Sequence, residues 1–219
     1  MHQISDPSIL YFGTPVVLIS TVNSDGSFNL APVSSVFWLG WRCIIGISAL
    51  SKTTENILRT KEAVLNLPSV DLVASVNRLA LTTGSDPVPE GKAKKGYRYE
   101  PFKFRAAGLT PVDSHIVEAP RVMECPVQME AKLITKHPIA DENELQRGRL
   151  VSLEFKVVRV HLDSKILMNG YSNRVDPDKW RPLIMSFQQF YGLGERLHES
   201  TLSEIPEQLY RTGEIPVVN

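Results

Sequence analysis

Hydroxyl side chains and a lysine occur at two points of the chain where an anion could bind. Ser34 and Ser35 end a predicted strand, and the run Ser51–Thr54 joins the next strand to the start of a predicted helix. The first turn of a helix presents unpaired backbone N–H groups and a partial positive charge. Two hydroxyls and a lysine beside such a turn make a site suited to a phosphate monoester. An ordinary capped helix with a lysine nearby would contain the same residues.

Other common chemical motifs are missing from the sequence. It has no glycine-rich dinucleotide fingerprint, no phosphate loop ending in Lys-Ser/Thr, no nucleophile elbow and no H-E-x-x-H. The five histidines are widely separated, and no pair of them has metal-ligand spacing. We therefore expect no protein-bound metal and no side chain acting as a catalytic acid, base or nucleophile. Cys43 and Cys125 lack close Cys or His neighbours and are expected to be reduced and structural.

Charge and hydropathy exclude several classes of protein. The 219 residues include 24 basic and 24 acidic side chains, so the formal net charge is +0. Binding to nucleic acid through bulk charge needs a surplus of Lys and Arg and is not expected. The start of the chain lacks a signal-peptide pattern, and the longest apolar run is far shorter than the roughly 20 residues of a membrane span. We expect a soluble, cytoplasmic protein that does not enter the membrane.

The first 80 residues predict strands followed by short helices. Residues 15–22 are apolar on both faces, as in a strand covered on two sides, and Asp25-Gly26 predicts a hairpin turn. Residues 28–36 form the predicted return strand, in which Pro32 indicates an edge or a bulged position that faces a ligand. Further elements are predicted as follows: a strand over 42–49, a helix from Ser51 or Thr53 with a Glu55–Arg59 pair, a strand over 63–67 and a helix over 72–80.

The rest of the chain predicts a long polar segment and then more strands. Residues 84–104 are rich in Gly, Pro and Lys, which fits either a solvated loop or a lid over a site. Alternating patterns predict strands at 127–133 and from 151 onward, and a phase slip at Val157-Val158 predicts a β-bulge. We predict a mainly β (α+β) fold, a β-barrel in one domain over residues 1–219. Its core would span about 10–170, and a docking tail over 173–219 would carry a helix at 203–211.

Six stretches, in the right order along most of the chain, resemble the flavin reductase-like family, whose fold is an FMN-binding split β-barrel. Two positions depart from the family pattern: Phe102 stands where Asp is usual, and Ser186-Phe187 stands where an Arg is frequent. The stretches that carry the resemblance are Gly13–Thr21, Asp25–Ser35, Ser51–Ile57, Ala63–Pro68, Phe102–Leu109 and Pro182–Gly194.

The resemblance implies a flavin site. The strand from Asn29 to Ser35 would run along the flavin ring and ribityl chain, and the Ser51–Thr54 turn would hold the 5′-phosphate. The loop over 84–96 would cover the nicotinamide, with His115 and Tyr191 as further contacts to the substrate. The implied cofactor-binding residues are Asn29, Ala31, Pro32, Val33, Ser34, Ser35, Ser51, Lys52, Thr53, Thr54 and Asn56.

The resemblance also implies a function: an FMN-dependent oxidoreductase that transfers hydride from NADH or NADPH to the flavin. The acceptor would be a small molecule, free flavin or a partner monooxygenase, and the protein would be a homodimer. Two alternatives stay open, an FMN-binding electron carrier without turnover, like flavoredoxin, and a flavoenzyme like the pyridoxamine-phosphate oxidases. Because a flavin supplies the redox chemistry, all three fit the lack of catalytic motifs.

Overall fold

The computed structural model describes residues 1–210, which form strands and a few short helices. The mainly β prediction is confirmed. Helices α1 to α4 span Lys52–Thr60, Val73–Leu79, Glu90–Ala93 and Lys103–Ala107. Strands β1 to β14 span Phe12–Pro15, Val17–Val22, Phe28–Val33, Val36–Leu39, Arg42–Ser48, Glu62–Leu67, Thr82–Thr83, Arg98–Tyr99, Pro111–Val112, Arg121–Val122, Val127–Ile139, Leu150–Leu162, Leu183–Ser186 and Gln189–Gly192.

The main sheet is rolled into a barrel. Seven strands pair in the order β3-β2-β6-β11-β12-β5-β4, so β3 and β4 lie at opposite edges. Only Ser34 and Ser35 connect these edges, and three peptide units reach at most about 11 Å. A flat sheet of seven strands would be roughly 29 Å wide. The sheet must therefore curl until its two edges meet at these serines.

The break at Ser34-Ser35 corrects the predicted strand over 28–36. The chain pairs with β2 as far as Val33 and with β5 from Val36 onward. Between them the Ser35 carbonyl accepts a hydrogen bond of 2.8 Å from Gly46 N–H. Because the chain changes its hydrogen-bonding partner here, one predicted strand is two. Pro32 lies in an edge strand, as predicted.

Strand β2 is covered on both faces, as its apolar pattern predicts. Val17 and Ile19 belong to the core inside the barrel, whereas Val16 and Leu18 belong to a second core on the other face, with residues of α2 and α4. All four side chains are almost inaccessible to solvent. The hairpin after β2 is also confirmed, with Gly26 at φ 84°, in the left-handed region that favours glycine.

The predicted bulge is present in β12. Val157 pairs with Ala131 and Arg159 pairs with Glu130, so Val158 has no residue opposite it. This extra residue moves the later apolar side chains onto the face that the phase slip requires. Strands β11 and β12, with 13 residues each, can therefore continue around the barrel instead of ending.

The end of the chain differs from the sequence prediction. Strands β13 and β14 join β1 in a separate three-stranded sheet. The helix predicted over 203–211 is replaced by two 3₁₀ turns, Thr201–Glu204 and Glu207–Tyr210, and residue 211 lies outside the described residues. Pro206 stands between the turns, and it cannot donate a helical hydrogen bond. Within residues 1–210, no helix is long and apolar enough to cross a membrane.

Candidate functional site

Helix α1 begins at the polar run that the sequence singled out. Ser51 is the N-cap, and its Oγ accepts a hydrogen bond of 3.0 Å from Thr54 N–H. The helix ends at Lys61, which adopts a left-handed conformation with φ 62°. The predicted Glu55–Arg59 pair is not formed, because Arg59 donates to the Val22 carbonyl and Glu55 pairs with Lys52. Lys52 is the first residue of α1, so its side chain starts beside the partial positive charge of the helix N-terminus.

An open cleft of about 490 Å³ lies where the edges of the barrel meet. Its volume is within the range of small-molecule sites, about 300–1,000 Å³. Nine of the eleven predicted cofactor-binding residues line it, namely Asn29, Ala31, Pro32, Val33, Ser34, Ser35, Ser51, Lys52 and Thr53. The end of β3, the crossing serines and the start of α1 are thus brought to one site, although the sequence separates them.

The other two predicted cofactor-binding residues, Thr54 and Asn56, do not line the cleft. Thr54 is fully buried, and its Oγ1 donates to the Ser48 carbonyl at 2.7 Å. Asn56 is 1% exposed, and its amide donates to Thr21 Oγ1 at 3.0 Å and to Asn23 Oδ1 at 2.8 Å. Both lie on the buried side of α1, whereas Glu55 and Arg59 lie on its exposed side. They hold the helix start in place and do not contact a ligand in the cleft.

The backbone of Gly84 lies close to the side chains of Asn29 and Lys52. The Asn29 amide donates to Thr53 Oγ1 at 3.0 Å, which joins β3 to α1. A Cβ at Gly84 would lie 2.7 Å from Asn29 Oδ1 and 3.1 Å from Lys52 Cγ. Any other residue at 84 would therefore displace Asn29 and Lys52, two of the side chains that the sequence predicted to bind the cofactor.

Three further lysines line the cleft: Lys92 and Lys95, which belong to the loop predicted to cover the nicotinamide, and Lys103, which the sequence analysis did not place in the site. Lys103 is 2% exposed, and its ammonium donates to Thr82 Oγ1. Burial and, to a smaller extent, the nearby Lys92 ammonium lower the pKa of Lys103 to about 8. An ammonium without a carboxylate partner is costly to bury, so it favours an anion in the cleft. The signal in the sequence was the lysine-rich segment over 84–104, which only the fold brings to the cleft.

Lys52 is paired in the structure. Its ammonium lies 2.9 Å from both carboxylate oxygens of Glu55, whose side chain is 60% exposed. Exposed ion pairs of this kind contribute little, about 0–1 kcal/mol. Glu55 therefore competes only weakly for Lys52 with an anion that binds at the helix start.

His115 lies away from the cleft, on an exposed part of a loop that packs against the buried carboxylate of Glu130. The Glu130 carboxylate is 0% exposed and accepts from the backbone amides of His115, Ile116 and Val117 at 2.9, 2.6 and 3.1 Å. His161 Nε2 lies 2.7 Å from the same carboxylate, and its ring meets the His115 ring edge to face. This cluster anchors the 113–119 loop to the barrel. Within one chain, His115 therefore has no contact with a ligand in the cleft.

The pKa values of Glu130 and His161 are both lowered in the folded protein. Burial alone would raise the pKa of Glu130, but the hydrogen bonds from the His115 amide, the His161 ring and two further amides outweigh it and lower this pKa. Burial lowers the pKa of His161, although its hydrogen bond to Glu130 opposes that shift. Glu130 is therefore ionised and His161 neutral near neutral pH. No group of three or more His, Cys, Asp or Glu residues within 1–210 is placed to hold a metal ion.

Tyr191 also lies outside the cleft of its own chain. It is 55% exposed on β14, where it pairs with Ile184. Its neighbour Phe190 instead lines a smaller apolar pocket of about 170 Å³ that adjoins the cleft and shares Pro32 and Val33 with it. A contact between Tyr191 and a ligand in the cleft would need a second protomer.

Comparison with known proteins identifies the family. The family model for the flavin reductase like domain matches residues 9–194. The chain belongs to the flavin reductase-like family. A relative from this comparison is the protein YdfE of Bacillus subtilis (strain 168), which is 36% identical over 198 residues, 90% of this chain and 92% of that protein. The resemblance inferred from the six sequence stretches is therefore confirmed.

Solved structures agree with the split-barrel fold of the flavin reductase-like family. Flavoredoxin of Desulfovibrio vulgaris (Miyazaki F) is similar with a TM-score of 0.73 and 21% identity, over 94% of this chain and 100% of that one. Nitrilotriacetate monooxygenase component B from Bacillus cereus gives a TM-score of 0.69 at 21% identity, over 88% and 89%. The FMN-binding domain of a flavin reductases-like enzyme from Shewanella baltica gives 0.61 at 21%, over 85% and 90%. The split-barrel prediction is confirmed.

Proposed function

We propose that the protein is an FMN-dependent oxidoreductase that takes hydride from NADH or NADPH. The observation that carries this proposal is the lining of the cleft, which combines a helix start with four lysines and contains no carboxylate among residues 1–210. Family membership adds that flavin-related redox chemistry is the expected activity. The FMN-binding domain from Shewanella baltica, a structural relative, carries the cofactor in its name.

The residues of the cleft fit the parts of FMN. The phosphate would bind at the start of α1, where Lys52, Ser51 and Thr53 provide a cation and two hydroxyls. The ring would lie along β3, against Pro32 and Val33, where the lining is apolar.

The flavin, when bound, supplies the acceptor for hydride, and the protein supplies position and electrostatics. Lys103 is held against β3, since the adjacent Phe104 packs its ring on Phe28 with 6.3 Å between centroids. We propose that its ammonium faces the flavin ring, where a cation favours the reduced, more negative form. The cleft is open on one side, so a nucleotide can reach the ring.

The homodimer and the acceptor are part of the proposal. A second protomer would place Tyr191, which is exposed on β14, at the mouth of the partner's cleft. The structural neighbour from Bacillus cereus is named as a component of a monooxygenase, which supports a partner monooxygenase as acceptor. The neighbour named flavoredoxin supports the second candidate, an electron carrier that binds FMN.

Anaerobic addition of NADH or NADPH to the FMN-loaded protein tests the proposed activity. Rapid loss of the yellow flavin absorbance with at least one nucleotide is the expected result, because the open cleft gives the donor access to the ring. If neither nucleotide bleaches a flavin that dithionite reduces readily, the electron carrier is the better account.

Glu55→Gln is expected to strengthen FMN binding about two- to fivefold. The change removes the carboxylate that pairs with Lys52 at 2.9 Å and lies close to the proposed phosphate position. The expected gain corresponds to the roughly 0.5–1 kcal/mol of an exposed ion pair. Fluorescence titration with FMN and with riboflavin measures it, and riboflavin should be unaffected.

Glu90→Gln is the matched control for Glu55→Gln. Glu90 forms an exposed pair with Lys94 at 2.6 Å, and neither residue lines the cleft. Its replacement should leave FMN affinity unchanged. An unchanged or weaker affinity in Glu55→Gln would mean that the phosphate does not bind beside Lys52.

A further inference from the structure

The lysines of the cleft carry more positive charge than one FMN phosphate can balance. Four lysines line the cleft, and no carboxylate lines it among the described residues. A phosphate monoester carries about −1.5 to −2 charges at neutral pH. Lys52 lies at the proposed phosphate position and Lys103 is proposed to face the flavin ring, which leaves Lys92 and Lys95 without an anion.

Lys92 has capacity for a further acceptor. Its ammonium donates to Thr83 Oγ1 at 3.2 Å and lies 5.6 Å from the centre of the Tyr97 ring. Burial lowers the pKa of Lys92, and within residues 1–210 no carboxylate comes within salt-bridge distance of it. An ammonium has three N–H donors, so two remain for a ligand.

Two of the three lysines in residues 92–95 line the cleft, and the third does not. Lys92 and Lys95 line the cleft together with Tyr97, which adds an aromatic face. Lys94, between them, has a side chain 73% exposed, pairs with Glu90 at 2.6 Å and does not line the cleft. Helix α3 and the turn after it therefore present two cations and one aromatic ring to the cleft. Such a combination suits a nucleotide, whose phosphates need cations and whose base can stack on an aromatic side chain.

We propose that Lys92 and Lys95 form a second anion subsite that binds a phosphate group of the nicotinamide dinucleotide, with Tyr97 beside one of its rings. The identity of this ligand rests on the proposed function. Both NADH and NADPH contain a pyrophosphate, and NADPH adds a 2′-phosphate, so either group provides the required chemistry.

Calorimetric binding of NAD⁺ and NADP⁺ to the FMN-loaded protein tests the subsite. The oxidised nucleotides deliver no hydride, so this binding is measured independently of turnover. The double variant Lys92→Ala/Lys95→Ala should bind at least one of them about tenfold more weakly, as expected when hydrogen bonds to a charged group are removed. The control Lys94→Ala should bind within about twofold of the wild type, because Lys94 faces away from the cleft.

The pattern of losses identifies the phosphate. A loss for NADP⁺ alone assigns the subsite to the 2′-phosphate, and equal losses for both nucleotides assign it to the pyrophosphate. The proposal is overturned if the double variant binds both nucleotides like the wild type, if the wild type binds neither, or if the double variant loses FMN affinity to the same extent.

Failure of the proposed function gives a different result. In that case NAD⁺ or NADP⁺ binds and the double variant weakens it, yet neither NADH nor NADPH bleaches the flavin. The subsite would then stand, and the hydride transfer would not.

Discussion

Replacing Lys103 with methionine is expected to make the protein without ligand more stable and its binding of FMN weaker. The side chain is 2% exposed, its only hydrogen-bond acceptor among residues 1–210 is Thr82 Oγ1, and it has no carboxylate partner there. Methionine has a similar length and carries no charge, so the cost of burying the ammonium disappears. We expect a gain of about 1–3 kcal/mol in the free energy of unfolding.

The stability gain should depend on pH in a defined direction. Burial lowers the pKa of Lys103 in the folded protein from 10.5 to about 8. Below pH 8 the ammonium is charged in both states, and the burial cost is present in full. Between about pH 8 and 10.5 the unfolded chain binds the proton more strongly than the folded one, so wild-type stability rises with pH. The advantage of Lys103→Met should therefore shrink over this window, as denaturant unfolding at several pH values would show.

The effect of Lys103→Met on the flavin should have the opposite sign. Without the cation, FMN affinity should fall about tenfold or more. The midpoint potential of the bound flavin should become about 30 mV more negative for each 1.4 kcal/mol of lost preference for the reduced form. The exposed Lys165, changed to methionine, is the control and should alter neither property. A Lys103→Met protein that is less stable, or that keeps wild-type FMN affinity, would show that Lys103 has a structural role.

Glu130→Ala is expected to destabilise the fold by about 3–5 kcal/mol. The carboxylate is 0% exposed and accepts from three consecutive backbone amides and from His161 Nε2. Alanine removes this acceptor and leaves partly or fully buried donors without a partner. Urea unfolding followed by circular dichroism measures the loss. The FMN affinity of the folded variant should change little, because the cluster lies away from the cleft.

Acid should reduce the difference between Glu130→Ala and the wild type. The pKa of Glu130 is lowered in the fold, so its stabilisation is present above the unfolded pKa and is lost as pH falls through the folded value. The pKa of His161 is also lowered, so protonation of this residue favours the unfolded chain as pH falls below about 6.5. Both shifts predict lower wild-type stability in acid.

Glu118→Ala is the matched control, because Glu118 is exposed on the same loop. It should change stability by less than about 0.5 kcal/mol. A loss in Glu130→Ala no greater than in this control would contradict the role of the buried carboxylate.

The sequence predicted the fold wherever a local pattern carries the information. The two-faced strand at 17–22, the Asp25-Gly26 hairpin and the bulge at Val158 depend on periodicity and turn chemistry, which neighbouring residues determine. The break after Val33 was missed, because it depends on Gly46, which is distant in sequence and binds the Ser35 carbonyl. The helix predicted at 203–211 was wrong, because Pro206 interrupts helical hydrogen bonding in this short segment.

The site could be predicted in part for the same reason. The helix start at Ser51 and the strand from Asn29 are local features, and the structure brings them together at one cleft. Thr54 and Asn56 were misplaced relative to the cleft because the face of α1 that points inward depends on the packing of the barrel. Lys103 was missed as a site residue, and Lys92 and Lys95 were predicted only as part of a covering loop, since only the fold places these side chains at the cleft.

Equilibrium binding of FMN and riboflavin to the wild type and to Lys52→Ala tests the central claim most directly. The two ligands differ only in the phosphate, so riboflavin controls for any change in the rest of the cleft. The account predicts that the wild type prefers FMN, that Lys52→Ala weakens FMN about tenfold, and that riboflavin binding is unchanged. Equal losses for the two ligands, or a wild type that binds neither, would contradict a flavin cleft with its phosphate at the start of α1.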